Sequence, residues 1–287
     1  MVLGWSKKAA RWVVACALAV LAVPLTGIAE AAPTPTPIPQ DAHWLTTVNY
    51  YRQMAGLPPV TEDPGMSYGS TMHSCYMLTN GISHDEVPGL PGYTPEGDAA
   101  GNAGNVAVTS VAGTSARTHI ELWMTGPFHA IGVLRPNLQR VGFGKCDDPN
   151  GARWKSGATL DVIRGLGPSA PLTAPILFPG NGTTTNLDRF VVETPSPLTF
   201  CGWPHGGGLP VIAQMPESVA GAVSAQITGP NGPLETCTLS QNNTSGVAQI
   251  LLKGNNAVVA MARNKLEPGT YTVSITTPHR VVTWSFT

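Results

Sequence analysis

Hydrophobic residues in the first half of the chain recur at intervals of three and four. Three segments show this spacing, at 42–54, 66–80 and 115–124, and a glycine follows each one. The pattern predicts amphipathic helices that end at these glycines. Two later segments, 141–145 and 158–163, are typical of strands. Helices and strands are therefore expected to share one unit.

The pattern changes to an alternation of polar and apolar residues in the second half. Five segments alternate in this way and are separated by turns rich in glycine and proline: 222–228, 247–252, 257–261, 270–276 and 281–286. Short strands at this spacing predict a small β-sandwich over residues 191–287, with no helix. Residues 166–190 show no period and are predicted to be a linker.

The N-terminus has the layout of an export signal. Three basic residues precede an apolar run over residues 12–23, and a stretch of small residues follows at 29–32. This layout predicts a signal peptide over residues 1–31, because the run is shorter than the roughly 20 residues of a membrane span. An uncleaved anchor is the alternative. Residues 32–40 form a Pro/Thr-rich leader, and the mature chain is expected to be secreted, with no integral membrane segment.

The composition gives no support for a nucleic-acid partner and is typical of a chain with a buried core. The chain has 16 Lys+Arg and 17 Asp+Glu, so no charge imbalance favours nucleic acid. Only 11% of residues are charged, against roughly 25% in ordinary soluble domains. The 42% hydrophobic content supports a buried core, while 32 glycines and 27 prolines indicate many turns.

Four cysteines remain after the predicted signal peptide: Cys75, Cys146, Cys201 and Cys237. In an exported protein they favour two disulfides, and three pairings are possible. We predict Cys75–Cys146 and Cys201–Cys237, because these pairs place one bridge in each half of the chain.

Short motifs in the first half match a known family in order and spacing. They are Asn49-Tyr-Tyr-Arg52, Gly56-Leu-Pro-Pro-Val60, Ser83-His84, Ala103-Gly-Asn-Val106, Trp123 to His129 with Ile131 to Pro136, and Val141-Gly-Phe-Gly144. On these motifs, residues 41–165 resemble the CAP superfamily, which includes cysteine-rich secretory proteins, antigen 5 and pathogenesis-related proteins. The likeness is strongest to its bacterial branch. The resemblance implies a CAP-type α-β-α sandwich for this half. With the small all-β sandwich that the alternation predicts, the expected fold class is α+β.

The resemblance also implies a cleft, which in this family often holds two histidines and two glutamates. His84 and His129 match the histidines. Gly104 stands at the glutamate of the family's Gly-Glu-Asn motif, and the second acidic position falls near Thr125 and Gly126. The cleft is therefore expected to lack both family carboxylates.

Two imidazoles brought together by the fold could ligate zinc or copper. Glu86 and Glu121 are the candidate supporting acids. The alternative is that both histidines bond to backbone groups and stiffen a wall. No cofactor other than zinc or copper is indicated.

These features predict a secreted, non-catalytic binding protein for a small lipid, a sterol or a metal at the histidine-lined cleft, or for a cell-surface component. Six apolar residues are candidates for a groove: Met72, Met77, Leu78, Trp123, Met124 and Phe128. One alternative is a degenerate metal-dependent hydrolase acting on peptide or cell wall. Another is a purely structural or adhesive surface protein.

Overall fold

The computed structural model describes residues 25–32, 35–39, 41–151 and 153–287. Most of the predicted signal peptide, residues 1–24, lies outside the described residues. Strand β1 (Leu25–Ile28) falls inside the predicted signal and pairs in parallel with the C-terminal strand β13 (Arg280–Phe286). Cleavage after residue 31 would therefore remove one edge strand.

The first half contains five helices and four strands among the described residues. They are α1 (Trp44–Met54), β2 (Thr61–Glu62), α2 (Pro64–Asn80), α3 (Pro95–Asn102), β3 (Gly104–Thr109), α4 (Ala116–Thr125), α5 (Pro127–Val133), β4 (Arg140–Asp147) and β5 (Ser156–Asp161). The three predicted helices are confirmed as α1, α2 and α4, and the two predicted strands as β4 and β5. Helices α3 and α5 are too short to show a clear period.

The four strands form one sheet in the order β2-β4-β5-β3, with helices on both faces. Helix α2 lies so close to β4 that a Cβ on Gly142 or Gly144 would overlap backbone atoms of Met66 or Thr71. Glycine is needed at these positions because it alone has no side chain. The opposite face packs Phe143 against α1 and α4. This arrangement confirms the predicted α-β-α sandwich.

The second half is mostly β-structure. Its elements are β6 (Ile176–Phe178), α6 (Pro197–Cys201), β7 (Val211–Gln214), β8 (Ser224–Gly229), β9 (Gly232–Pro233), β10 (Thr236–Leu239), α7 (Gly246–Gly254), β11 (Ala257–Ala262), β12 (Tyr271–Thr276) and β13. One sheet has the order β1-β13-β12-β8-β9 and the other β10-β11-β7-β6. A shared apolar core, which includes the buried Trp284, joins the two sheets. The predicted small β domain is confirmed.

Segment 247–252 is helix α7, so the prediction of a strand there, and of no helix in this half, is wrong. Ala248 and Leu252 are buried and lie four residues apart, whereas Val247 and Ile250 are exposed. That spacing is helical, and the apolar residues between the buried positions gave a false impression of a strand. The predicted linker 166–190 also contains strand β6. This strand has only three residues, which is too short for its pattern to be recognised in the sequence.

The two halves share one hydrophobic core. Strand β11 is buried on both faces: Val258 and Ala260 face the other sheet, whereas Val259 and Met261 belong to the core of the first half. The Gln214 side chain adds a polar tie, because its Nε2 donates to the Leu134 carbonyl over 2.8 Å. The sheet β10-β11-β7-β6 is thus a middle layer that packs against both halves.

Both disulfides form in the predicted pairs. Cys75–Cys146 joins α2 to β4, and Cys201–Cys237 joins α6 to β10. Each bridge lies within one half of the chain, so the contact between the halves rests on packing and hydrogen bonds. No helix within the described ranges is long and apolar enough to cross a membrane.

Candidate functional site

His84 lies on the exposed loop between α2 and α3. Its Nδ1 is 2.9 Å from the Gly101 carbonyl, at the end of α3. Because that oxygen can only accept, Nδ1 carries the proton. The ring's other nitrogen, Nε2, makes no hydrogen bond within the described residues. His84 is therefore a positioned imidazole with one nitrogen available.

His129 lies in the first turn of α5 and is held by a carboxylate from the second half of the chain. Its Nδ1 is 2.7 Å from Oε1 of Glu193. The same carboxylate accepts from the backbone N–H of His129 over 2.7 Å and of Phe128 over 3.2 Å. The N-cap residue of this helix, Gly126, supplies no side-chain bond, so Glu193 is its cap.

Glu193 occupies space that a side chain at position 126 would need. A Cβ built on Gly126 would lie 2.7 Å from Glu193 Oε1. The acid that the resemblance places near Thr125 and Gly126 is absent from the sequence. In the fold, a carboxylate 64 residues away from His129 fills that space. Sequence reasoning missed Glu193, because no periodicity or motif marks this acid.

Both histidines are tied to the junction between α3 and β3. Gly101, near the end of α3, accepts from His84. Asn105, near the start of β3, donates from its Nδ2 to the His129 carbonyl over 3.1 Å. The fold thus brings these two predicted residues to one short segment, through separate polar partners.

The two predicted supporting acids are engaged elsewhere. Glu86 turns to the core, where its Oε1 is 3.0 Å from His73 Nδ1 and its Oε2 accepts from the Thr94 N–H. Glu121 accepts from the Tyr51 hydroxyl and from Arg117. Neither carboxylate hydrogen-bonds to His84 or His129.

His73 is a second residue that sequence reasoning missed. It is completely buried on α2, with Nδ1 facing Glu86 and Nε2 2.9 Å from the Ser83 carbonyl. Both ring nitrogens therefore have a polar partner inside the protein. The pair anchors the loop that carries His84. A signal existed in the sequence, since a histidine on the buried stripe of a helix needs a polar partner.

Two further buried groups support the scaffold. Burial lowers the pKa of His119 to about 4, so its ring is neutral near pH 7. Arg52 is fully buried and donates to four backbone carbonyls, at Pro58, Val133, Arg135 and Leu138. Burial lowers the pKa of this guanidinium to about 10. The Arg of the Asn-x-x-Arg motif is therefore a structural clamp between α1 and the segment after α5.

The donor set around the histidines does not fit a resident zinc ion. Among the residues that the structure describes, no three His, Cys, Asp or Glu side chains are grouped to hold a metal. The Glu193 carboxylate is committed to His129 Nδ1 and to helix amides. Two free Nε2 atoms are one ligand short of a catalytic zinc site and two short of a structural one.

The predicted apolar groove does not form from the expected residues. Met77, Trp123, Met124 and Phe128 are buried in the core, and only Met72 and Leu78 are partly exposed. Exposed apolar side chains lie instead on the loop that carries His84 and on the segment just before Glu193.

The comparisons with known proteins agree with this fold. The model of the family described as "CAP: Cysteine-rich secretory protein family" matches residues 45–157. No curated protein matches the chain. CAP domains are typically secreted, and the two disulfides are consistent with an extracellular location. Residues 45–157 of this chain therefore form a domain of the cysteine-rich secretory protein (CAP) family.

Proposed function

We propose that this chain is a secreted bacterial binding protein without catalytic activity. Its proposed ligand is a small lipid or sterol, held at the surface beside His84 and His129. Export through cleavage of a signal peptide near residue 31 is part of the proposal. The CAP domain and the two disulfides support the extracellular setting.

The distribution of exposed apolar side chains carries the proposal. Ten large hydrophobic residues are exposed among those described, and five of them lie on the two segments that hold the histidines. We call these five the apolar rim: Ile82, Val87, Leu90, Val191 and Val192. Covering apolar surface yields about 25 cal/mol per Å², so a lipid lying on the rim would gain affinity without any charged contact.

The way in which the reactive groups are used supports a role without catalysis. Glu193 accepts three hydrogen bonds, two of them from backbone amides, and is fully buried. Ser83 Oγ accepts from the Asp85 N–H, and all four cysteines described are in disulfides. No nucleophile with an adjacent base is found around the histidines in the described part of the chain.

Lipid binding is tested with the protein as it is recovered from culture supernatant. Native mass spectrometry should show a lipid-sized adduct that denaturation removes. Titration with cholesterol and with palmitate should then give saturable binding. The double variant Val87→Ser/Val191→Ser should weaken it about tenfold, since two apolar contacts are lost.

Ile250→Ser is the matched control, because Ile250 is 70% exposed on α7, outside the rim. It should bind like the unaltered protein. A bare polypeptide in native spectra, together with no saturable binding of either probe, would reject the proposal.

A hydrolase is the second candidate, because His129 and Glu193 form a pair like that of a general base and its orienting acid. The His129 side chain is 19% exposed, so Nε2 could activate a water molecule. This candidate requires turnover of a peptide or cell-wall substrate that His129→Ala abolishes. An inert protein without ligand would instead favour a structural or adhesive role.

A further inference from the structure

Two adjoining pockets lie around the turn between α7 and β11, away from the residues of the apolar rim. One has a cavity volume of about 410 Å³ and the other about 440 Å³. Asn256 lines both, so the pockets adjoin at this residue, and we call the pair the groove. The first pocket includes residues of both halves of the chain, and ligand sites favour such boundaries.

The groove is lined by neutral amide side chains. The first pocket has no charged residue in its lining, and the second has only Lys253. Eight amides line the two pockets together: Asn137, Gln139, Gln214, Gln241, Asn242, Gln249, Asn255 and Asn256. A cation would need carboxylates and an anion would need several basic groups, so the lining favours a neutral polar ligand.

Five of the eight amides donate a hydrogen bond from the side-chain nitrogen to the protein. Asn137 Nδ2 donates to Gly167 O, Gln214 Nε2 to Leu134 O, and Asn255 Nδ2 to Leu251 O. In the second pocket, the side-chain nitrogens of Asn242 and Gln249 donate to backbone carbonyls in the same way.

These contacts fix each amide so that its nitrogen faces the protein. None of the five side-chain oxygens accepts a hydrogen bond from a described residue. The lining therefore contains five neutral acceptors without a donor among the described residues, which a ligand rich in hydroxyl donors would match.

The groove is also preformed. The Gly167 N–H donates to Asn137 O over 2.7 Å, and the Met215 N–H donates to Asn256 O over 3.0 Å. Asn256 has φ +45°, and it is the one non-glycine residue in the described ranges with positive φ. The hydrogen bond from Met215, the residue after β7, ties the Asn256 backbone in this conformation.

We propose that this groove binds a neutral oligosaccharide, with the amide oxygens accepting hydrogen bonds from its hydroxyl groups. Two adjoining pockets suit two neighbouring sugar units. This site is separate from the proposed lipid site, so each can fail without the other.

The test titrates the full chain with three neutral trisaccharides, maltotriose, cellotriose and chitotriose, by calorimetry. At least one should bind saturably. Asn256→Gly removes the shared side chain yet suits positive φ, so the fold should persist, and affinity should fall about tenfold or more. Gln249→Ala should weaken binding as well.

Gln226→Ala is the control, because Gln226 is an exposed amide on β8 and outside the groove. It should leave affinity unchanged, and thermal unfolding should show that each variant is folded. The proposal is overturned if no trisaccharide binds, or if Asn256→Gly and Gln249→Ala both bind normally. Saturable binding of Ca²⁺ or of a proline-rich peptide in place of the sugars would likewise reject it.

Discussion

Two histidine–glutamate pairs in this molecule have the same chemistry and different surroundings. His73 and Glu86 are 13 residues apart, lie in one half, and are both fully buried. His129 and Glu193 are 64 residues apart and join the two halves, and the His129 ring is partly exposed. The first ring uses both nitrogens, whereas the second keeps Nε2 available. The comparison teaches that only the second pair can meet a ligand, and that the first is scaffold.

The largest effect is expected from Glu86→Ala. It leaves His73 buried without its charged partner, which should lower the free energy of unfolding by about 3–5 kcal/mol. Urea denaturation followed by circular dichroism measures this. Glu62→Ala, at an exposed acid of β2, is the control and should change stability little. A loss below about 1 kcal/mol for Glu86→Ala would show that the pair is not a scaffold element.

The pH dependence of stability concerns His119, a buried histidine that, unlike His73, is not paired with a carboxylate in the part of the chain that the structure describes. Within the described residues, the His119 ring bonds to the Ser156 hydroxyl and to no acid, and burial lowers its pKa from 6.5 to about 4. The unfolded state therefore binds the proton more tightly. The stability that this group contributes is present above pH 6.5 and is lost as the pH falls towards 4, by up to about 3 kcal/mol.

Urea unfolding at about pH 7.5 and about pH 4.5, on either side of the ordinary histidine pKa, measures this loss. His119→Gln should reduce the difference between the two pH values, because a glutamine side chain does not titrate. The same change in both proteins would assign the acid sensitivity to other groups.

A smaller effect is expected from Glu193→Ala. It removes the cap of α5 and the partner of His129, which should cost about 1–3 kcal/mol. Glu193→Gln keeps an acceptor oxygen and should cost less. Chemical denaturation gives both values, and the nitrogen-15 shifts of His129 should show a mixed tautomer in Glu193→Ala. An unchanged His129 spectrum would mean that Glu193 does not fix the ring.

The smallest change in stability is expected from His129→Ala, at about 1 kcal/mol or less, because its ring is partly exposed and Glu193 keeps both backbone partners. Thermal unfolding checks this value. If the loss matched that of Glu86→Ala, the two pairs would have the same structural role, and the contrast between them would fail.

Part of the fold could be read from the chain. Long periodic segments gave α1, α2 and α4, and alternation gave β8, β11, β12 and β13. Short elements such as β6, α3 and α5 carry too little pattern to be recognised. Helix α7 was predicted as a strand because exposed Val247 and Ile250 obscured the spacing of its buried residues.

Only some of the residues at the candidate site could be predicted from the sequence. Motifs gave His84 and His129, and the fold places them at the two sides of the α3–β3 junction. Sequence proximity suggested Glu86 as a supporting acid, but its side chain turns away to His73. The signal peptide stays a prediction, because residues 1–24 lie outside the described part of the chain.

The sequence by itself determined the family and the class of fold, because these depend on local pattern and on short motifs. It predicted the cysteine pairing that the structure then confirmed, although three pairings were possible. Only the tertiary structure decided which acid meets which histidine. Glu193 reaches His129 because the two halves pack together, with one face of the sheet β10-β11-β7-β6 lying against the first half of the chain. Burial of apolar surface drives that packing, and it is non-directional, so no single residue announces the contact in advance.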